Sequence, residues 1–140
     1  MWTAVACMMF LALAPTRPAL AETLHYVATL RGNNEVPPNQ STAEGDAEVT
    51  FDTDSKQLSW TVNYSGLSGP AIGAHIHGLA EPGSNAGIMI PFTVLPSPIT
   101  GSKALSPVEE EGLTTGRLYV NIHTRLHPGG EIRGQLLPKQ

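Results

Sequence analysis

Two short segments carry histidines at a spacing that could bind a metal ion. They are Gly73-Ala74-His75-Ile76-His77-Gly78 and Leu118-Tyr119-Val120-Asn121-Ile122-His123. Alternate residues of a β-strand point to the same face, so His75 and His77 should project together. If the two segments share a sheet, His123 should join them on its outer surface. Neutral imidazole is a common ligand for zinc and copper, so this spacing predicts a three-histidine metal site.

Other polar residues on the same outward faces could complete or surround this site. His127 could be a fourth ligand, although an exposed loop position is the favoured interpretation. Water or Glu131 could also complete the shell. Arg133 could steer anions toward a metal or orient its ligands, but a salt bridge with Glu131 or Glu35 is favoured. Asn121 shares the outward face. A metal-free alternative remains, in which the histidines hydrogen-bond to loop backbone.

The elements that must position these residues are predicted to be β-strands. Alternating apolar and polar residues predict strands, and 12 prolines and 14 glycines interrupt the chain at short intervals. This pattern is typical of an antiparallel β-sandwich or barrel, and residues 44–52 and 57–65 should form a hairpin. Besides the segment of His75 and His77, the predicted strands are 24–31, 44–52, 57–65, 87–95, 99–105, 117–123 and 131–137.

The same alternation predicts which residues face the core. Ile72, Ala74 and Ile76 should point inward from the first histidine segment. Leu118, Val120 and Ile122 should do so from the second.

One short helix is expected directly after the predicted strand 99–105. Ser106-Pro107-Val108-Glu109 has serine at the N-cap, proline at the first helical position and glutamate three residues after the cap. This arrangement is a capping box. The helix should end between Gly112 and Gly116.

Residues 1–21 are predicted to be a signal peptide. The apolar run 4–13 is too short to span a bilayer, and Ala19-Leu20-Ala21 is a small-x-small cleavage pattern. We therefore expect export to the periplasm or the medium, and no membrane association after cleavage. Cys7 is the only cysteine, so the remaining chain would have neither a thiol ligand nor a disulfide. Loss of Arg17 would move the formal charge from −4 to −5, which argues against nucleic-acid binding.

Four motifs occur in order along the chain: Asn33-Asn34-Glu35-Val36-Pro37-Pro38, Ala74-His75-Ile76-His77-Gly78, Gly116-Arg117-Leu118-Tyr119-Val120-Asn121-Ile122-His123-Thr124 and Gly130-Glu131-Ile132-Arg133-Gly134-Gln135-Leu136. Together they resemble the CHRD domain. This module is named from chordin and also occurs alone in exported bacterial proteins. The resemblance covers about residues 23–137, and it implies that residues 22–140 form one CHRD-like domain. In chordin these domains belong to an extracellular antagonist of growth factors, so the resemblance also implies a protein partner, here unidentified.

A more distant resemblance bears on mechanism. His75, His77, His123 and Arg133 are similar in order to the copper ligands and the anion-attracting arginine of copper,zinc superoxide dismutase, a Greek-key β-barrel. The resemblance implies copper at the three histidines. No histidine lies between His77 and His123 to act as the bridging ligand, and no zinc-binding cluster or cysteine pair is present. A dismutase of this sequence would therefore be a copper-only enzyme.

The leading expectation is an exported, all-β CHRD protein whose three-histidine surface site binds a metal ion, with copper preferred. A Greek-key sandwich, either superoxide-dismutase-like or immunoglobulin-like, should carry the site. The first alternative is a copper-only, dismutase-like redox enzyme, and an enzymatic role is not favoured. The second is a metal-free extracellular module that binds a protein partner.

Overall fold

The computed structural model describes residues 22–93 and 95–140. The predicted signal peptide, with Cys7 and Arg17, lies outside these residues. Within them, no helix is both long enough and apolar enough to cross a membrane. The described residues form nine strands, one α-helix and a 3-10 turn at Gly32–Asn34. The elements are β1 Thr23–Arg31, β2 Glu44–Asp52, β3 Gln57–Ser65, β4 Ala71–His77, β5 Ile88–Pro91, β6 Ile99–Ala104, α1 Pro107–Thr114, β7 Tyr119–Thr124, β8 Ile132–Gln135 and β9 Leu137–Pro138.

All paired strands are antiparallel and belong to one curled sheet of order β5-β4-β7-β8-β1-β2-β3-β6. The link between its two halves is narrow. β8 pairs with β1 only where Arg31 faces Arg133, and β9 pairs with β1 at Tyr26 and Val27. Apolar residues from both halves form a single core, which confirms the predicted antiparallel all-β class.

The strand and helix predictions are most accurate where side chains alternate strictly. The β2–β3 hairpin has the predicted bounds and runs in register from Glu44–Ser65 to Phe51–Leu58. Phe51 and Leu58 are fully buried, and burial of such a side chain stabilises the fold by about 1.5–3 kcal/mol. The helix is also confirmed, because the Ser106 hydroxyl accepts from the Glu109 amide and the Glu109 carboxylate accepts from the Ser106 amide.

The predictions are less accurate near irregular backbone. Ile72 was expected in the core but is 52% exposed, because the β4–β7 register shifts between Ala71 and Gly73. β5 covers only Ile88–Pro91 of the predicted 87–95. Pro91 is tolerated there because β5 is an edge strand.

A buried carboxylate ties together three segments that meet beside β8. Glu131 is fully buried. It accepts hydrogen bonds from the Ser41 hydroxyl at 2.8 Å, the Ser68 amide at 2.8 Å, the Ser68 hydroxyl at 2.6 Å and the Thr124 hydroxyl. Burial alone would raise the pKa of Glu131, but the bonds from Ser68, Thr124 and Ser41 together hold it below its usual value.

We expect Glu131→Gln to lower the free energy of unfolding at pH 7 by about 2–4 kcal/mol, because an amide nitrogen cannot accept the bonds and hydroxyl donors lose their partners. The pKa of Glu131 is lower in the folded protein than in the unfolded chain. Its contribution to the free energy of unfolding is therefore present above the unfolded-state pKa and disappears as pH falls through the folded-state pKa. Urea unfolding at pH 7 and pH 3 measures both effects. The exposed Glu81→Gln is the matched control, and equal stability of the two variants at pH 7 would contradict this role.

Candidate metal centre

The pairing of β4 with β7 places the three predicted histidines on one face of the sheet. The two strands are antiparallel neighbours, as expected if the histidine segments share a sheet. The register pairs His75 with Asn121, Gly73 with His123, and His77 with Tyr119. Ala74 and Ile76 of β4, and Val120 and Ile122 of β7, are fully buried on the opposite face. The predicted convergence of the imidazoles is therefore confirmed.

The three imidazoles form a compact cluster. One ring nitrogen from each of His75, His77 and His123 lies within 4.8 Å of those of the other two. His75 Nδ1 is 3.2 Å from His123 Nε2. Over residues 22–93 and 95–140, no other histidine, cysteine or acidic residue joins this group.

Two backbone carbonyls fix the orientation of two of the rings. His77 Nδ1 is 3.0 Å from the carbonyl oxygen of Ala86, and His123 Nδ1 is 3.0 Å from that of Pro128. A carbonyl oxygen only accepts, so in the neutral rings each Nδ1 carries the proton and each Nε2 keeps a lone pair. His123 Nε2 can then accept from His75 Nδ1–H. His77 Nε2 is buried and has no hydrogen-bond partner among the residues that the structure describes.

The environment keeps all three rings neutral at physiological pH. Burial, followed by the nearby His123 and His77, lowers the pKa of His75 to about 4. Burial is also the main cause that lowers the pKa of His77, with a further contribution from the Arg133 charge. Burial and the charge of His77 lower the pKa of His123. The imidazole lone pairs are therefore not blocked by protons at pH 7.

Tyr119 contacts both His77 and the loop that holds it. Its ring stacks on the His77 ring, with the centroids 5.0 Å apart and the planes 8° apart. The Ala86 amide donates to the Tyr119 hydroxyl at 3.1 Å. The Arg133 guanidinium carbon lies 3.4 Å from the centroid of the Tyr119 ring. The role of Tyr119 was missed from sequence, because only the β4–β7 register shows that it lies opposite His77.

Arg133 and Glu35 do not form the predicted salt bridge. Arg133 is 2% exposed and donates to the side-chain oxygen of Asn85 at 3.0 Å and to the carbonyl oxygen of Ser84. Among the described residues, it has no ion pair with either Glu35 or Glu131. The prediction failed because the 78–87 loop supplies neutral acceptors, while the Glu131 carboxylate is engaged elsewhere.

Glu35 is instead a buried carboxyl held by an amide. Asn121 Nδ2 donates to Glu35 Oε1 at 2.6 Å, and both residues are buried. Gly130 packs against the pair with φ +134°, and a Cβ there would lie 2.6 Å from Glu35 Oε1 and from Asn121 Nδ2. Burial raises the pKa of Glu35 to about 7, although Asn121 and Arg133 oppose the shift.

Neither of the two candidates for a further ligand, His127 and Glu131, joins the three histidines. His127 lies outside the three-histidine cluster, in the turn after β7, where its carbonyl accepts from the Gly130 amide. Glu131 has its carboxylate satisfied by serine and threonine donors, so it is not free to complete a metal shell. The site is also not an open surface. The three histidines are largely buried and Asn121 is buried, because loops cover the outward face of β4 and β7.

Comparisons with known proteins identify one family. The sequence profile of the CHRD domain matches residues 26–136. Chordin of Xenopus laevis is 30% identical over 116 residues, which cover 76% of this chain, and chordin of Danio rerio is 30% identical over 109 residues, which cover 71%. The chain spans 12% of the length of each of these relatives. No solved structure matches the chain significantly.

We expect Glu35→Gln to change the pH dependence of stability. The raised pKa of Glu35, about 7, means that the folded protein holds a proton that the unfolded chain releases near pH 4.5. Wild-type stability should therefore fall between these two pH values by roughly 3 kcal/mol and level off above them. Glutamine stays neutral at every pH. The free energy of unfolding of the variant, relative to that of wild type, should therefore rise by about the same amount between pH 4 and pH 8. Denaturant unfolding across this range measures the effect, and parallel curves for wild type and variant would refute the shift. Glu81→Gln is the control.

Proposed function

This chain belongs to the CHRD domain family, and we propose that it is an exported member that binds one copper ion through His75, His77 and His123. The family match covers residues 26–136, which include all three histidines. Export is proposed from the signal-like residues 1–21. The chain spans 12% of the length of each chordin relative, so the proposal does not rest on the activities of those whole proteins.

The observation that carries the metal proposal is the state of His77 Nε2. Buried polar atoms nearly always have a hydrogen-bond partner, yet within residues 22–93 and 95–140 this nitrogen has none. Its ring is fixed by the Ala86 carbonyl, so the lone pair cannot turn toward another donor without breaking that bond. It lies in a cluster with two other imidazoles. A cation among the three rings would satisfy it.

The dimensions of the cluster fit a metal ion after a small adjustment. Nitrogen ligands about 2.0–2.1 Å from one ion lie roughly 3.3–3.6 Å from each other. The His75–His123 pair is already at 3.2 Å, and the full set lies within 4.8 Å. Rotation of the imidazole rings by modest angles would close the remaining gap. Binding through His75 Nδ1 would also require its proton to move to Nε2.

The donor set favours copper over other metals. Three imidazoles without thiolate or carboxylate suit copper, zinc or nickel, and Cu²⁺ binds such ligands most tightly in the divalent series. The carbonyls of Ala86 and Pro128 hold the proton on the far nitrogen of two ligands, and this arrangement increases ligand basicity and fixes ring orientation. When bound, copper would supply Lewis acidity and one-electron redox chemistry.

The alternative functions have less support. A dismutase-like enzyme would need Arg133 to attract anions to the metal, but Arg133 lines a cleft whose walls include none of His75, His77 and His123. A metal-free protein-binding module is favoured by the hydrogen bond between His75 and His123. It leaves the isolated His77 nitrogen without explanation, so metal binding is the better supported function.

We expect the purified protein to bind one equivalent of Cu²⁺, and the double variant His75→Ala, His77→Ala to lose at least about 100-fold in affinity, because two of three ligands are removed. Isothermal titration calorimetry in a competing chelator measures the affinity, and electron paramagnetic resonance reports nitrogen ligation. Substitution of the exposed His25 by alanine is the matched control. His127→Ala tests the fourth-ligand hypothesis directly. Wild-type affinity in the double variant would end the metal proposal.

We expect Tyr119→Phe to weaken copper binding by about tenfold while the protein stays folded, in line with substitutions that disturb a ligand's supporting contacts. The phenylalanine ring can still stack on His77, but the Ala86 amide loses the hydroxyl that accepts from it. The carbonyl that orients His77 is then less firmly held. Tyr64→Phe removes a comparable hydroxyl contact with the Leu95 carbonyl, away from the cluster, and should leave copper affinity and the copper spectrum unchanged. Identical copper spectra for the wild type and Tyr119→Phe would contradict the role of Tyr119.

A further inference from the structure

A cleft separate from the histidine cluster opens beside β1 and β8. Its volume is about 720 Å³, within the range of small-molecule binding sites. It lies between the loop that follows β1 and the loop that follows β4. Val36, Pro38, Pro82 and Leu137 give it an apolar lining, and Leu137 is 50% exposed.

Two buried ionisable residues also line this cleft. Arg133 is 2% exposed and Glu35 is 6% exposed. Charged side chains are rarely buried unless they are paired. Five of the seven lysines and arginines in the described part of the chain form ion pairs, and the two that do not are Arg125 and Arg133. Arg125 is exposed, so water solvates its charge. Arg133 is therefore a buried cation with no direct counter-ion in the described part of the chain.

The neighbours of Arg133 neutralise its charge only in part. Its bonds to Asn85 and Ser84 are to neutral oxygens, and the Tyr119 ring offers a cation–π contact. Glu35 is the nearby acid, but burial raises its pKa to about 7, so much of it is uncharged at neutral pH. An anion that enters the cleft would supply the missing charge.

We propose that this cleft binds a small amphipathic anion, whose charged head group lies toward Arg133 and whose apolar body covers Val36, Pro38 and Leu137. Carboxylates and sulfonates share the required chemistry, because guanidinium N–H groups pair with planar or tetrahedral oxyanions. The apolar walls of the cleft would contact the body of the ligand, and Arg133 would pair with its charged end. The proposal does not depend on a metal at the histidine cluster.

The test uses two probes with the same apolar body, in buffer with EDTA so that no metal takes part. One is 1-anilinonaphthalene-8-sulfonate, and the other is neutral N-phenyl-1-naphthylamine. Fluorescence titration should show that the sulfonate binds at least about tenfold more tightly, as expected for one charge-assisted contact. Octanoate should displace the sulfonate and octanol should not. Equal binding of the two probes would overturn the proposal.

Arg133→Gln should weaken sulfonate binding by at least about tenfold, and Arg125→Gln, which removes the other unpaired arginine, should leave it unchanged. Glu35→Gln should bind at least as tightly as wild type, because it removes a carboxylate that can repel the ligand. If Arg133→Gln does not fold, the variant Thr29→Trp tests whether the sulfonate binds in the cleft. Thr29 is exposed and lines the cleft, so tryptophan there should block the probe. Unchanged sulfonate binding in Thr29→Trp, or in folded Arg133→Gln, would refute the proposal.

Discussion

The antiparallel register of β4 and β7 is the constraint on which the rest of the site depends. A slip of one residue would turn every side chain of a strand to the opposite face. Ala74, Ile76, Val120 and Ile122 prevent this slip, because each is fully buried in the core. The apolar residues of these strands thus determine where the histidines point. The chemistry of one face follows from the packing of the other.

A second layer of contacts gives the cluster its detailed geometry. The β4–β5 loop provides the Ala86 carbonyl, and the β7–β8 turn provides the Pro128 carbonyl. Tyr119 connects the first of these loops to the sheet, and Glu131 anchors the second by its bonds to Ser68 and Thr124. The histidines are therefore positioned by strands, but their protonation pattern is determined by loops.

The sequence predicted those features that depend on local alternation, and it failed for those that depend on loop placement. Strict alternation gave the bounds of β2 and β3, and the Ser106–Glu109 spacing gave the start of α1. The convergence of the histidines followed from two-residue periodicity and one assumption about strand pairing. The partners of Arg133 could not be predicted, because Ser84 and Asn85 are distant in sequence and reach it only through the path of a loop. Ile72 was placed wrongly because a register shift has no signature in its own neighbourhood.

Gly130 links the histidine cluster to the buried carboxyl of Glu35. Its missing side chain leaves room for Glu35 and Asn121 to meet, and its positive φ closes the turn that carries the Pro128 carbonyl. Any larger residue there would strain the backbone and displace the carboxyl–amide pair at once. A substitution at Gly130 would therefore change both the geometry of the imidazoles and the pKa of Glu35, so these two properties should vary together among related sequences.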